Sequence, residues 1–381
     1  MMFTDNLSTC SSSMSELTFE DLADSIGEVR HLAVVTTDNC QARCAHCLMK
    51  SGPSRLERVD VDLVKQTVTY FATNSKLKLV AFTGGESTLL GDDLLEMIAH
   101  CTESGIATRL VTNAIWADTV ENAVRMIRSL RSVGLTEINF STDDFHRVWI
   151  PLENIRNAWN AAKGMGFTSV LVATCSGKKS KISPEYMVDY LGGEASIIDE
   201  LKNRSDLPPQ HVDGTRYMVS RSPIGRLGRG SRLREDLLPP FTEKTKHSLY
   251  GGCTGTFNPP TLNADGTLGL CCGINTEYNP ILSLGSSEDL VRTGKYSLDE
   301  TKKVILNAIR IIGPAQLLHI ATGDPNIIED RRFRSICEVC EYLTTDPKLV
   351  QSMVSQIASI ARITSATLRA QTSIGGDDDG V

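Results

Sequence analysis

From residue 31 to about residue 225 the chain alternates short β-branched runs with amphipathic stretches, and this alternation sets the narrowest limit on its fold. "HLAVVTT" reads as a strand and "VDLVKQTVTYFATN" as a helix, with apolar residues at 61, 64, 68 and 71. "LKLVAFT" and "DDLLEMIAHCTESG" repeat the pattern, the helix ended by Gly105. "ATRLVTN" leads to "DTVENAVRMIRSLRSVG", ended by Gly134, and "EINFSTD" leads to "LENIRNAWNAAKGMG". "SVLVATC" precedes a helix that begins near Pro184, and "TRYMVS" supplies the last strand. The runs are apolar along their whole length, as in a parallel sheet covered by helices on its faces. The six units suit either an open doubly wound sheet or a partial barrel. The glycine-rich turn of a dinucleotide-binding fold is missing after the first strand; "TTDNCQARCAHC" stands there instead.

Functional groups of parallel α/β folds gather where the strands end. The later strand ends here read "FTGGE", "TNA", "STDDFH" and "ATC". Gly84 and Gly85 leave room for close approach of a ligand to the backbone, and Glu86 offers a carboxylate at the mouth of the sheet. Composition fits an ordinary enzyme, with 41% hydrophobic and 22% charged residues. A net charge of −7 argues against nucleic acid as the main partner. No apolar run is long enough to span a membrane, and the first residues have neither a basic nor an apolar signal region. The expected compartment is the cytoplasm. In that reducing setting the eleven cysteines point to metal or redox chemistry rather than to disulfides.

The cysteines cluster unevenly. Cys40, Cys44 and Cys47 form C-x3-C-x2-C; Cys253, Cys271, Cys272, Cys337 and Cys340 lie in the last third; Cys10, Cys101 and Cys175 stand apart. Three thiolates leave one iron of a [4Fe–4S] cluster without a protein ligand, since such clusters normally take four cysteines. Structural zinc prefers four ligands; His46 is a candidate fourth but sits beside Cys47 in a tight loop. An open iron invites a ligand from outside the protein.

With C-x3-C-x2-C after the first strand and "GGE" after the second, residues 31–225 resemble the radical S-adenosylmethionine (SAM) superfamily. The resemblance implies an α/β fold, a partial (β/α)6 TIM-type barrel. It also implies a [4Fe–4S] cluster whose open iron binds SAM and a 5′-deoxyadenosyl radical that takes a hydrogen atom from substrate. By position Cys40, Cys44 and Cys47 resemble the cluster ligands, and His46 holds the aromatic position near the adenine. Gly84, Gly85 and Glu86 resemble the residues that hold the methionine amine. Asn113, Ser141 and Asp143 stand at strand ends where the family contacts ribose or carboxylate, although capping and turn roles suit Asn113 and Ser141 equally. His146, after two aspartates, is a candidate acid or base beside an ordinary structural role.

In the last third, "NADGTLGLC" reads as a hairpin with an Asp-Gly turn. Cys253 and Cys271 with Cys337 and Cys340 make one four-cysteine site, with zinc as the competing occupant. The pattern resembles the auxiliary-cluster extension of radical SAM enzymes in its one-cluster form, called twitch, rather than the two-cluster SPASM form. The Gly266-x4-Cys spacing favours Cys271 over its neighbour Cys272. The resulting layout is an extension over 1–30, the partial barrel over 31–225, a linker and small C-terminal auxiliary Fe–S cluster domain over 226–345, and an amphipathic helix with a disordered tail over 346–381. The arginine-rich "RSPIGRLGRGSRLRED" reads as a solvated linker or as a carboxylate or phosphate clamp; related enzymes carry a similar "GR" segment.

The resemblance points to maturation of a ribosomally made peptide by cross-link, oxidation or epimerisation, with a dehydrogenase of a small aminocyclitol or sugar as the alternative. A non-catalytic iron–sulfur or zinc protein is the reading of another class, disfavoured by "GGE". The cofactors implied are a SAM-binding [4Fe–4S] cluster, one auxiliary [4Fe–4S] cluster and SAM. Partners would be the peptide or small-molecule substrate, a separate peptide-recognition protein and an electron donor such as flavodoxin or ferredoxin. Cys175, ending the fifth strand, is a candidate hydrogen-atom donor of the kind peptide epimerases use; a small buried apolar role is its alternative.

Overall fold

A computed structural model of the protein describes residues 29–199, 207–256 and 259–374. The six expected strands are present: β1 His31–Thr37, β2 Leu79–Gly84, β3 Ala107–Thr112, β4 Glu137–Ser141, β5 Ser169–Ser176 and β7 Arg216–Pro223. They pair in parallel in that order. A further strand, β6 (Ser196–Asp199), is added beyond β7. Four residues with no strict alternation gave it no sequence signal.

Helices cover the sheet because one stripe of each is apolar. In α1 (Val61–Asn74) the buried positions are Val64, Thr67, Val68 and Phe71, and Asp60 caps its start by accepting from Leu63 N. Helix α2 spans Asp92–Glu103, and α3 (Val120–Ser132) buries Ala123, Ile127 and Leu130. Helix α4 (Leu152–Ala162) inserts Trp159, fully buried, and α5 spans Pro184–Tyr190. Burial of a large side chain of this kind contributes about 1.5–3 kcal/mol.

The C-terminal region is continuous with the barrel sheet. Its hairpin comprises β8 (Thr261–Leu262) and β9 (Thr267–Gly269), joined through Gly266 at φ +81. β8 pairs in parallel with β1, Ala33 opposite Thr261, and β10 (Ser283–Ser286) closes this edge on β9. The sheet is therefore ten-stranded and unclosed, running from β10 to β6. Helices α6 (Glu243–His247), α7 (Ser287–Thr293), α8 (Glu300–Ile311), α9 (Pro314–Thr322), α10 (Ile327–Arg331) and α11 (Ile336–Thr345) complete the region.

The expected C-terminal helix is two helices, α12 (Pro347–Ser355) and α13 (Ile357–Ile374). They divide at Gln356, whose Nε2 turns inward to the Ile320 carbonyl at 3.0 Å. Leu349, Met353 and Ile360 are buried in the shared core. The N-terminal extension before residue 29, Cys10 and the acidic tail lie outside the described residues. No described helix is long and apolar enough to cross a membrane.

Candidate metal and cofactor site at the strand ends

The loop after β1 folds back on itself before α1. Gly52 N donates to the Asp38 carbonyl at 3.2 Å and Cys40 N to the Gly52 carbonyl at 3.4 Å. Inside it Cys47 N bonds the Cys44 carbonyl at 3.2 Å. Cys40 and Cys44 are buried and Cys47 is half-buried; Ala42, Ile115, Phe145 and Ile150 form the apolar wall around them. Burial pushes the Cys40 thiol up to about 11 and the Cys44 thiol to about 12. Only a strongly cationic guest makes thiolates stable there, so the donor set fits a soft metal group.

The two glycines of "GGE" accommodate this loop rather than an open ligand path. A Cβ on Gly85 would lie 1.9 Å from the Asn39 carbonyl oxygen, and one on Gly84, at φ +129, 2.5 Å from that of Thr37. Gly85 N and Glu86 N donate to those same carbonyls at 2.7 and 2.8 Å. The close approach expected of a ligand is therefore made by the chain's own loop. Gly84 and Gly85 nevertheless line the cavity beside it.

Glu86 does not face that cavity. It is fully buried, and its carboxylate accepts from Thr88 Oγ1 at 2.6 Å, Thr112 Oγ1 at 2.7 Å and Asn113 N at 2.8 Å. Burial raises its carboxyl above the ordinary glutamate range, against the pull of these donors. It fixes the end of β3, and through it Asn113, whose Nδ2 lies 3.5 Å from Cys40 Sγ.

A cavity of about 530 Å³ opens at the strand ends. It brings together Cys40, Cys44, Cys47, His46, Asn113, Ser141, His146 and Cys175. Asp143 is buried behind it. Its Oδ1 caps the turn, accepting from Phe145 N at 2.8 Å and His146 N at 2.9 Å. Its Oδ2 lies 3.0 Å from both His46 Nε2 and His146 Nδ1, out of line for hydrogen bonds. Burial works to raise the Asp143 carboxyl, but the two imidazoles, His146 first, hold it far below the ordinary range. His46 stacks on Phe145 with centroids 4.7 Å apart.

Sequence spacing joined Cys253, Cys271, Cys337 and Cys340, and the fold places them as neighbours. A Cβ on Gly273 would lie 3.2 Å from Cys337 Sγ and 3.9 Å from Cys271 Sγ. Burial pushes Cys337 up to about 12 and raises Cys271 and Cys340 well above the ordinary thiol value, and the thiols that flank each one add to the rise. Cys272 is exposed and Cys271 half-buried, though both lie close to Cys337. Cys337 and Gly273 also line the large cavity, so one member of this second set shares a space with Cys40, Cys44 and Cys47.

The glycine–arginine segment is neither a solvated linker nor an open anion clamp. Gly228, at φ +55, lies so close to the cysteine loop that a Cβ would sit 2.1 Å from the Leu48 carbonyl oxygen. Arg226 N donates to Glu338 Oε1 at 2.7 Å, next to Cys337 on α11. Arg226 and Arg334 both pair with Glu235. The clue in the sequence was the pair of glycines flanking Arg229, which signals close backbone packing.

Residues 34–177 match the Radical SAM superfamily. Among curated proteins the chain is 25% identical over 118 residues to the putative peptide biosynthesis protein YydG of Bacillus subtilis, covering 31% of this chain and 37% of that protein. It is 33% identical over 98 residues to the PqqA peptide cyclase of Rhodopseudomonas palustris, 25% of each chain. The chain thus spans between a quarter and two fifths of these relatives' length. Among solved structures, native anSMEcpe with bound AdoMet and Cp18Cys peptide aligns with a TM-score of 0.45 at 10% identity, over 88% of this chain and 99% of that one. Streptococcus suis SuiB bound to S-adenosylmethionine aligns with a TM-score of 0.39 at 16% identity, over 72% and 66%.

Proposed function

We propose, for a chain that belongs to the radical SAM superfamily through residues 34–177, that it modifies a ribosomally made peptide by hydrogen-atom abstraction. The observation that carries this reading is the single cavity shared by Cys40, Cys44 and Cys47 with Cys175. The peptide-modifying names of YydG and PqqA peptide cyclase support the substrate class. Cys40, Cys44 and Cys47 would hold a [4Fe–4S] cluster, and Cys253, Cys271, Cys337 and Cys340 an auxiliary one. The first cluster, when reduced and bound to SAM, supplies the 5′-deoxyadenosyl radical.

The chain's own residues orient and finish the reaction. Gly84 and Gly85, which line the cavity although Gly85 N is bonded to the loop, would flank the cofactor's methionine end, and His46, stacked on Phe145, would offer a flat surface for the adenine. Asn113 and Ser141 would offer polar groups toward ribose or carboxylate from the ends of β3 and β4, Asn113 while its Oδ1 also holds Ile115 N. Cys175, in the wall of the same cavity, would give its S–H hydrogen atom to the substrate radical. The sulfur radical left on Cys175 then takes one electron and one proton, the electron from a flavodoxin- or ferredoxin-type donor. A separate recognition protein would deliver the peptide. His146 and Asp143 order this wall.

Oxidation without return of hydrogen is the second reading, of a peptide or of a small aminocyclitol or sugar. The placement of Cys337 in the same cavity favours it, because an electron acceptor would then stand near the substrate radical. Anaerobic reconstitution followed by reaction with SAM, reductant and candidate peptide tests both. Two clusters require about eight irons per chain. Epimerisation predicts one deuterium from deuterated water in the product and a stalled or diverted product in Cys175→Ala, with 5′-deoxyadenosine still released. Normal product from that variant refutes the donor role. No release of 5′-deoxyadenosine by the wild type refutes the superfamily reaction itself.

A further inference from the structure

Arg229 reaches the cysteine loop from the other end of the parallel sheet. It follows β7, the last of the six expected strands, while the loop follows β1, the first. Its backbone N donates to the Cys47 carbonyl at 3.0 Å. Its Nε donates to the Cys44 carbonyl at 2.9 Å and its Nη1 to the Ser51 carbonyl at 2.6 Å. The guanidinium thus joins two points of the loop, Cys44 and Ser51, and the backbone N a third, Cys47. Gly228 makes the approach possible, since a Cβ there would also lie 2.7 Å from the Cys47 carbonyl oxygen.

The third nitrogen is the unexplained part. Nη2 is buried and has no hydrogen-bond partner, although Arg229 lines the large cavity. A buried donor left unpaired is costly, and a charged one more so, so its retention calls for an acceptor. Asp143 sets a negative charge near Cys44, and Arg229 is a positive charge set against it. A lysine has no planar fork with which to span two carbonyls and keep a third donor free.

We propose that Arg229 is a positioning residue that ties the three-cysteine loop shut and reserves Nη2 for a sulfur of the cluster held there, raising that cluster's reduction potential. The inference rests on the reading of Cys40, Cys44 and Cys47 as cluster ligands. Its basis is electrostatic: a fixed positive charge and an N–H···S bond both stabilise the reduced, more negative cluster. No bond is made or broken; the residue shifts the ease of adding one electron.

The test is a potentiometric titration of full-length wild type, R229K and R229Q, reconstituted anaerobically and followed by electron paramagnetic resonance without SAM. The relevant cluster is the one whose signal changes when SAM is then added. The expected result is a midpoint shifted to more negative potential in R229Q, a smaller shift in R229K, and iron content near wild type. Midpoints equal to wild type in both variants overturn the proposal. So does an unchanged midpoint with weakened SAM binding, which would assign Nη2 to the cofactor's carboxylate. Loss of this cluster from both variants makes Arg229 a scaffold residue only and also overturns it. A wild type without a SAM-responsive cluster refutes the proposed function instead.

Discussion

Replacing Glu86 separates a cofactor ligand from a buried structural acid. The family resemblance puts it at the methionine amine; the fold puts its carboxylate among Thr88, Thr112 and Asn113. Thr112 Oγ1 already accepts from Ala114 N at 3.1 Å and Trp116 Nε1 at 3.0 Å, so its own proton is committed to Glu86. Glu86→Ala therefore leaves two buried donors unpaired, the Thr112 hydroxyl and the Asn113 N–H. At about 1–3 kcal/mol each, the loss is roughly 2–6 kcal/mol. That is a large part of a typical domain's stability of about 5–15 kcal/mol. On a scale of about 2–4 °C per kcal/mol, the metal-free chain should melt at least about 4 °C lower by circular dichroism. The pH dependence adds a second signature. Burial holds the folded carboxyl above the ordinary value, so the folded chain keeps its proton to higher pH than the unfolded chain. Stability from this group is full below about pH 4.3 and declines as pH rises through the folded value. The variant should lose that decline. A Glu86→Ala chain that melts with the wild type, shows the same pH slope and fails only to bind SAM refutes the structural assignment.

Asp143 should behave with the opposite sign. Its folded carboxyl is held low, so its contribution is present above the unfolded value of about 3.9 and is lost as pH falls further. Asp143→Asn keeps the Oδ1 turn cap but removes the charge facing His46 and His146. Urea titrations of the metal-free chain should show it about 1–3 kcal/mol less stable at pH 7, with the gap closing below about pH 4; a gap that is constant with pH counts against the charge interaction. In the auxiliary set, Cys271→Ala should reduce iron from about eight to about four per chain while Cys272→Ala leaves it unchanged. Zinc replacing the second four irons in wild-type protein, or equal loss from both variants, rejects that ligand assignment.

Local pattern alone determined a great deal. Short apolar β-branched runs alternating with 3.6-residue stripes located six parallel strands and their helices, because each element carries its own buried surface. The spacing of Cys40, Cys44 and Cys47 and the Asp-Gly hairpin were likewise legible, since a loop of three thiolates and a two-strand turn are short-range features. Tertiary structure decided what approaches what. It turned the glycines of "GGE" toward the carbonyls of Thr37 and Asn39, buried Glu86 under β3, and divided the last helix where Gln356 reaches Ile320. It also joined β8 to β1, so the C-terminal region became an extension of the barrel sheet. Arg229 and the cysteine loop are about 180 residues apart in sequence and meet through backbone carbonyls. Carbonyl groups are common to every residue type, so contacts made to them leave no trace in the identity of the partner.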